Sequence, residues 1–86
     1  MFYTYVLTSK KSGRFYTGST KDLRKRFKQH VEGKSGWTKK DTSWELVYYE
    51  ACLSGDDARS REKFLKSGMG KRYLKIRLKR FLSLTG

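Results

Sequence analysis

At 86 residues the chain has room for one small domain and not for two. Its 21 Lys and Arg outnumber 8 Asp and Glu, a net charge of +13, which points to a polyanion whose phosphates release counterions on binding. The lone Cys52 excludes an internal disulfide, and one Cys with one His cannot supply the ligand set of a structural zinc site, so any metal is expected on oxygen.

In chain order, Phe2 to Thr8 is rich in aromatic and β-branched residues, Lys10-Lys11-Ser12-Gly13 is turn chemistry, and Arg14 to Ser19 is a second short β-like run. A β-hairpin is expected. Thr20 is placed to cap a helix starting at Lys21, with Asp22 in its first turn, Gly33 as its stop, and Leu23, Phe27 and Val31 as its buried stripe. Gly33 to Ser43 reads as a polar, basic loop carrying Trp37. Trp44 to Ala51 alternates as a third strand. Ser54 and Asp57 then open a second helix that ends at Ser67-Gly68, and Lys71 to about Leu82 patterns as a third, basic amphipathic helix. The class is therefore α+β: a small three-stranded antiparallel or mixed sheet flanked by helices, in the order β-β-α-β-α-α, as a single domain over 1–86.

The opening Met1-Phe2-Tyr3-Thr4-Tyr5 lacks the charged and apolar regions of a signal peptide, and no apolar run approaches the ~20 residues of a membrane span. Cytoplasmic location without membrane contact is expected. An acidic protein partner or a membrane surface also suits the charge, but no segment has the form of an interfacial helix. Nucleic acid is the favoured partner.

Several residues do not fit a purely structural pattern. Glu62 falls in line with Ala58 and Leu65, on the stripe that should face the core. Either it pairs with Arg59 or Lys66 at the surface, or it is a partly buried ligand for a hard cation such as Mg²⁺, which takes one or two carboxylates and completes its shell with water and phosphate. Arg26 and His30 lie one turn apart at the edge of the first helix's stripe, where both could reach a groove, whereas Lys25 and Lys28 point to solvent. Tyr3, Tyr5 and Tyr16 fall on the hairpin, with Tyr3 and Tyr5 on one face. At an ordinary phenol pKa, general-base work by any of them requires nearby positive charge.

Taken together, Tyr3-Thr4-Tyr5 followed eleven residues later by Tyr16-Thr17-Gly18 resembles the paired tripeptides of the GIY-YIG nucleases. Ser19 to His30 is similar to the family's strand-to-helix segment, which ends in an arginine and often a histidine, and Arg61-Glu62-Lys63 resembles the segment with its metal-binding glutamate. The likeness covers Phe2 to about Phe64 and is closest to the small stand-alone bacterial members. It implies a metal-dependent endonuclease that hydrolyses phosphodiester bonds in DNA, with a role in repair or in processing branched or damaged DNA. By position, Glu62 becomes the sole protein ligand of one Mg²⁺ or Mn²⁺, Arg26 the stabiliser of the scissile phosphate, and Tyr5 the general base. Tyr16 orients water or phosphate, and His30 assists the phosphate or the proton transfer. Tyr3-Thr4 stands where the motif has Gly-Ile, Thr17 where it has Ile, and the chain contains no Asn, whereas larger members carry one late in the domain. With no appended recognition domain, structure-directed or weakly specific cutting is expected, and a protein partner that supplies recognition has room to act.

The alternative, from a different class, is a non-catalytic nucleic-acid-binding module of the same fold, with Trp37, Tyr48 or Tyr49 stacking on bases and lysines on the backbone. In either case Tyr3, Lys21, Lys34, Trp37, Lys39 and Lys40 are the expected nucleic-acid contacts.

Overall fold

The computed structural model describes residues 1–34 and 40–85. Strand β1 (Phe2–Ser9) is central, paired antiparallel with β2 (Phe15–Thr20) on one side and β3 (Trp44–Cys52) on the other. Helix α1 (Leu23–Val31) follows β2, and α2 (Gly55–Lys66), α3 (Gly68–Arg77) and α4 (Lys79–Thr85) follow β3. The expected α+β order holds, and the sheet is antiparallel throughout.

Helices cover both faces of the sheet, which is why β1 is buried from Thr4 to Ser9 instead of alternating. Tyr5 and Leu7 point to the α1 side, where they pack with Trp44, Tyr16, Leu46 and the expected Leu23/Phe27/Val31 stripe. Val6 points to the other side, against Leu65, Leu74, Phe64, Tyr73 and Leu78 of α2, α3 and the segment that follows. On that side Thr4 donates its hydroxyl to the Ala58 carbonyl at 2.7 Å, so a buried polar group anchors α2 on the sheet.

The register of β1 with β3 shifts between Val6 and Leu7, where Val6 pairs with Tyr48 and Leu7 with Leu46. Val47 is the extra residue of a β-bulge. The bulge resets the alternation: Val47 and Tyr48 both pack with the α2/α3 core, while Tyr49 stands across from Tyr5 on the α1 side.

Three boundaries differ from expectation. Asp22, not Thr20, caps α1: its side chain accepts from Lys25 N at 3.0 Å, while the Thr20 hydroxyl accepts from Asp22 N at 3.1 Å and shapes the preceding turn. A carboxylate at the cap serves both the free N–H groups and the helix dipole. Ser67 closes α2 and caps α3, accepting from Gly70 N, so the third helix begins at Gly68 instead of Lys71. It also divides at Leu78, whose φ −103°, ψ 22° leaves helical geometry. Gly33, at φ +72°, does stop α1: Gly33 N reaches His30 O and Lys34 N reaches Gln29 O, the paired bonds of a left-handed C-terminal cap.

At the far end of the sheet, the Ser9 and Ser43 hydroxyls both bond the Asp41 carboxylate and hold its pKa down at about 2. This knot ties the β1–β2 turn to the entry of β3.

Candidate active site

The sheet and α1 bring together the residues that the motif spacing singled out. Tyr5 comes from the central strand, Tyr16 from the edge strand β2, and Arg26 and His30 from α1. Tyr5 is opposite Gly18 in the hairpin ladder, and its ring crosses the glycine's backbone. Because position 18 has no side chain, the phenol extends past the strand toward Arg26 and His30. Its hydroxyl bonds His30 Nε2 at 2.9 Å, and the Tyr16 ring stands 4.9 Å from the imidazole.

The Arg26 guanidinium interacts with the hydroxyls of both Tyr5 and Tyr16, and these contacts raise its pKa further, that of Tyr5 most. One N–H goes to Gln29 Oε1 at 3.0 Å, which steadies the fork. Arg26 remains partly exposed. Lys25 and Lys28, by contrast, are exposed charges, as expected.

His30 does not sit at the solvent edge. It is 0% exposed, because α1 leans on the sheet with His30 as well as Phe27 facing inward. Burial, with the Arg26 charge adding to it, lowers its pKa to about 4. It is therefore neutral at pH 7, and its Nε2 is a fixed hydrogen-bond partner for the Tyr5 hydroxyl.

Tyr5 itself is 1% exposed, and burial raises its pKa to about 12. Arg26 works against that rise through its hydrogen bond and charge, while Tyr16 and Glu62 add to it. The positive charge expected near the phenol is present, but in the free protein desolvation outweighs it.

Glu62 reaches the cluster from the opposite layer. It lies on α2, and β2 is an edge strand, so its carboxylate sits at the rim, close enough to act electrostatically on Tyr5. Ser19, next to Gly18 on β2, donates to Glu62 Oε1 at 2.7 Å. Lys66 Nζ pairs with Oε2 at 2.6 Å. Both readings of Glu62 thus find a physical basis: it has the surface partner Lys66, and it is also held, 23% exposed in its side chain, beside the tyrosine–arginine cluster. Sequence reasoning missed Ser19 as a support, since a hydroxyl on a strand has no periodic signal that marks its partner on a distant helix.

Among the described residues no group of three or more His, Cys, Asp or Glu could enclose a metal ion. The donor set nevertheless suits a hard cation that brings its own waters and shares phosphate oxygens, since each carboxylate oxygen of Glu62 keeps a lone pair beyond the one used by Ser19 or Lys66. Glu62 is the residue that would hold it.

The neighbouring Arg61 has a different task. It forms a bidentate pair with Glu50 of β3 at 2.8 and 2.7 Å and lies over the Phe64 and Tyr73 rings. Glu50 also accepts from the Tyr48 hydroxyl, which in turn meets Tyr73 at 3.1 Å. Tyr48 is thereby turned inward and is not a stacking surface.

Of the expected nucleic-acid contacts, Tyr3 and Lys21 line one cleft with Tyr49. Lys34 is exposed and pairs with Glu32 at 3.4 Å, and Lys40 is exposed. Trp37 and Lys39 lie outside the described residues. No helix among the described residues is long and apolar enough to cross a membrane.

No curated protein and no solved structure gives a significant match to the chain. The model of the GIY-YIG catalytic domain, however, matches residues 1–75 of the 86. With the paired tyrosine motifs folded onto adjacent strands and their arginine and glutamate brought to the same rim, the chain belongs to the GIY-YIG nuclease family.

Proposed function

We propose that this protein is an endonuclease that hydrolyses phosphodiester bonds in DNA with one divalent metal ion, and that it acts on branched or damaged DNA, as in repair. The observation that carries the reading is the Arg26 guanidinium set against the hydroxyls of both Tyr5 and Tyr16 at a partly exposed rim. A permanently charged fork beside two hydroxyls and a carboxylate suits a phosphate that gains charge as it is attacked.

In this reading Arg26 binds the non-bridging oxygens of the scissile phosphate. Tyr5, in its phenolate form, accepts the proton of the attacking water and becomes the neutral phenol, its oxygen held in place by His30 Nε2 at 2.9 Å. Tyr16 orients water or phosphate through its hydroxyl, and Glu62, braced by Ser19, holds the cation. A Mg²⁺ or Mn²⁺ ion there supplies positive charge against the phosphoryl oxygens. His30 is a positioning residue in this reading, because its Nε2 meets the Tyr5 hydroxyl.

The test is substitution of Arg26 by Ala, with cleavage of supercoiled and branched DNA measured beside binding in EDTA. A loss of about 100-fold or more in cutting with binding largely kept supports the role, in line with removal of one transition-state donor. Unchanged cutting refutes it. If neither the wild type nor any variant cuts, and binding is salt-sensitive and indifferent to Mg²⁺, the protein is the non-catalytic binding module.

A further inference from the structure

On the α1 face of the sheet, and apart from the Tyr16–Arg26 cluster, a cleft of about 550 Å³ opens between α1 and β3. Phe27 and Leu46 line its apolar part, Tyr3 and Tyr49 its aromatic part, and Lys21 and Arg24 its basic rim. Tyr49 is 55% exposed although it lies on the sheet face that carries the core. The Tyr3 and Tyr49 rings meet edge-on, with centroids 6.1 Å apart and planes at 61°, so each braces the other, and the exposure of Tyr49 leaves ring surface open to the cleft.

The charge around this surface fits a nucleic acid. Among the described residues neither Lys21 nor Arg24 forms a salt bridge; Lys21 instead lies over the Phe2 ring at 5.6 Å. The one acidic residue at the cleft, Asp22, is committed to capping α1. An aromatic face inside a basic rim favours a planar, anion-linked ligand over an acidic peptide, which would bring charge but no ring to stack.

We infer that the Tyr3/Tyr49 cleft binds an unpaired nucleotide, its base on Tyr49 and its flanking phosphates on Lys21 and Arg24. In a duplex both faces of a base are covered by its neighbours, so only a single-stranded, flapped or bulged nucleotide can enter. Tyr3 lies two residues from Tyr5 on one face of β1, about 7 Å along the strand, and Tyr49 is paired with Tyr5 across the ladder. An unpaired base held here therefore lies next to the proposed cutting centre. The inference rests on the nuclease reading for its biological meaning, and it narrows the substrate to DNA with an unpaired nucleotide beside the cut.

The experiment measures fluorescence anisotropy in EDTA, where nothing is cut, with a short fluorescein-labelled DNA single strand and with the duplex of the same sequence. Tyr49→Ala and Tyr49→Leu should each bind the single strand roughly 5- to 100-fold more weakly, the range for loss of one base–aromatic stack, with duplex binding within 2-fold of wild type. Tyr49→Phe, which keeps the ring, should match wild type on both. Tyr49→Leu retains apolar bulk, so its far-UV spectrum separates lost stacking from lost folding. Equal affinity of all four proteins for the single strand, or an equal loss on strand and duplex, overturns the inference. Because the readout is binding alone, a protein that never cuts can still pass this test, and one that cuts can still fail it.

Discussion

The Tyr5 hydroxyl passes so close to Gly18 that a Cβ at that position would stand 2.6 Å from its oxygen. The two residues are partners in the β1–β2 ladder, so the glycine ending the second motif and the tyrosine ending the first form one packing unit. Gly18→Ala is expected to force the ring off its line, at a cost of about 1–3 kcal/mol in stability. Cutting should fall at least 10-fold at temperatures where the variant is fully folded. Urea denaturation beside a cleavage assay checks both, and an alanine variant equal to wild type in each contradicts this packing.

The neutral, buried His30 makes stability depend on pH. Its pKa is lowered from 6.5 to about 4 in the folded state, so between those values the unfolded chain binds the proton and the folded chain does not. Stability is thus complete above about pH 6.5 and is lost as pH falls toward 4. Between pH 7 and 5 the loss is about 2 kcal/mol. His30→Asn should be less stable at pH 7 yet nearly flat over that interval. A wild type whose urea midpoint is the same at pH 7 and pH 5 contradicts the assignment.

For Tyr5 the consequence is kinetic. With a pKa raised to about 12, roughly 0.003% of the phenol is ionised at pH 7.5. If the phenolate is the base, kcat/KM should climb about 10-fold per pH unit from pH 6 to 9, and Tyr5→Phe should lose about 100-fold or more. A level pH profile, or a phenylalanine variant of wild-type rate, assigns the proton to another acceptor.

Adjacent residues on α2 should separate cleanly. Arg61 grips Glu50 and lies on two aromatic rings, whereas Glu62 turns to Ser19 and the rim. Arg61→Met keeps the apolar stem on Phe64 and Tyr73 but removes the fork. It is expected to cost about 1 kcal/mol, since the ion pair is partly exposed, and to leave cutting within 2-fold. Ser19→Ala should do the reverse, with little change in unfolding midpoint and a several-fold drop in cutting at limiting Mg²⁺. Matched stability losses and matched activity losses in the two variants would contradict this division.

Much of the fold was legible because the elements announce themselves locally. The hairpin has its turn chemistry, α1 its Leu23/Phe27/Val31 stripe, and α2 its Ser54 cap. What escaped the sequence depends on choices between equivalent local signals. Thr20 and Asp22 are both good caps, and only the path of the chain selects Asp22. The Val47 bulge follows from packing on both faces of the sheet, and without it the opposite fates of Tyr48 and Tyr49 cannot be read from alternation. His30 has a position on the helix wheel that suits solvent as well as core, and the open space over Gly18 decides for core by letting Tyr5 reach it. Tyr5, Tyr16, Arg26 and Glu62 were legible as a set through the resemblance of their segments to the GIY-YIG motifs, since the residues taken singly suit a structural reading as well. Lys66 was legible as an i, i+4 partner of Glu62, whereas Ser19, which also fixes Glu62, became visible only when β2 and α2 were in contact.

The most direct measurement of the central claim is cleavage of supercoiled, branched and single-stranded DNA by wild type and by Glu62→Gln, in Mg²⁺, in Mn²⁺ and in EDTA. The amide keeps the volume of the carboxylate and can still bond Ser19, but it lacks the charge that holds a cation. The account predicts cutting by wild type with either metal, none in EDTA, and a loss of about 100-fold or more in the folded variant. Cutting by Glu62→Gln at the wild-type rate, or by wild type in EDTA, would contradict it.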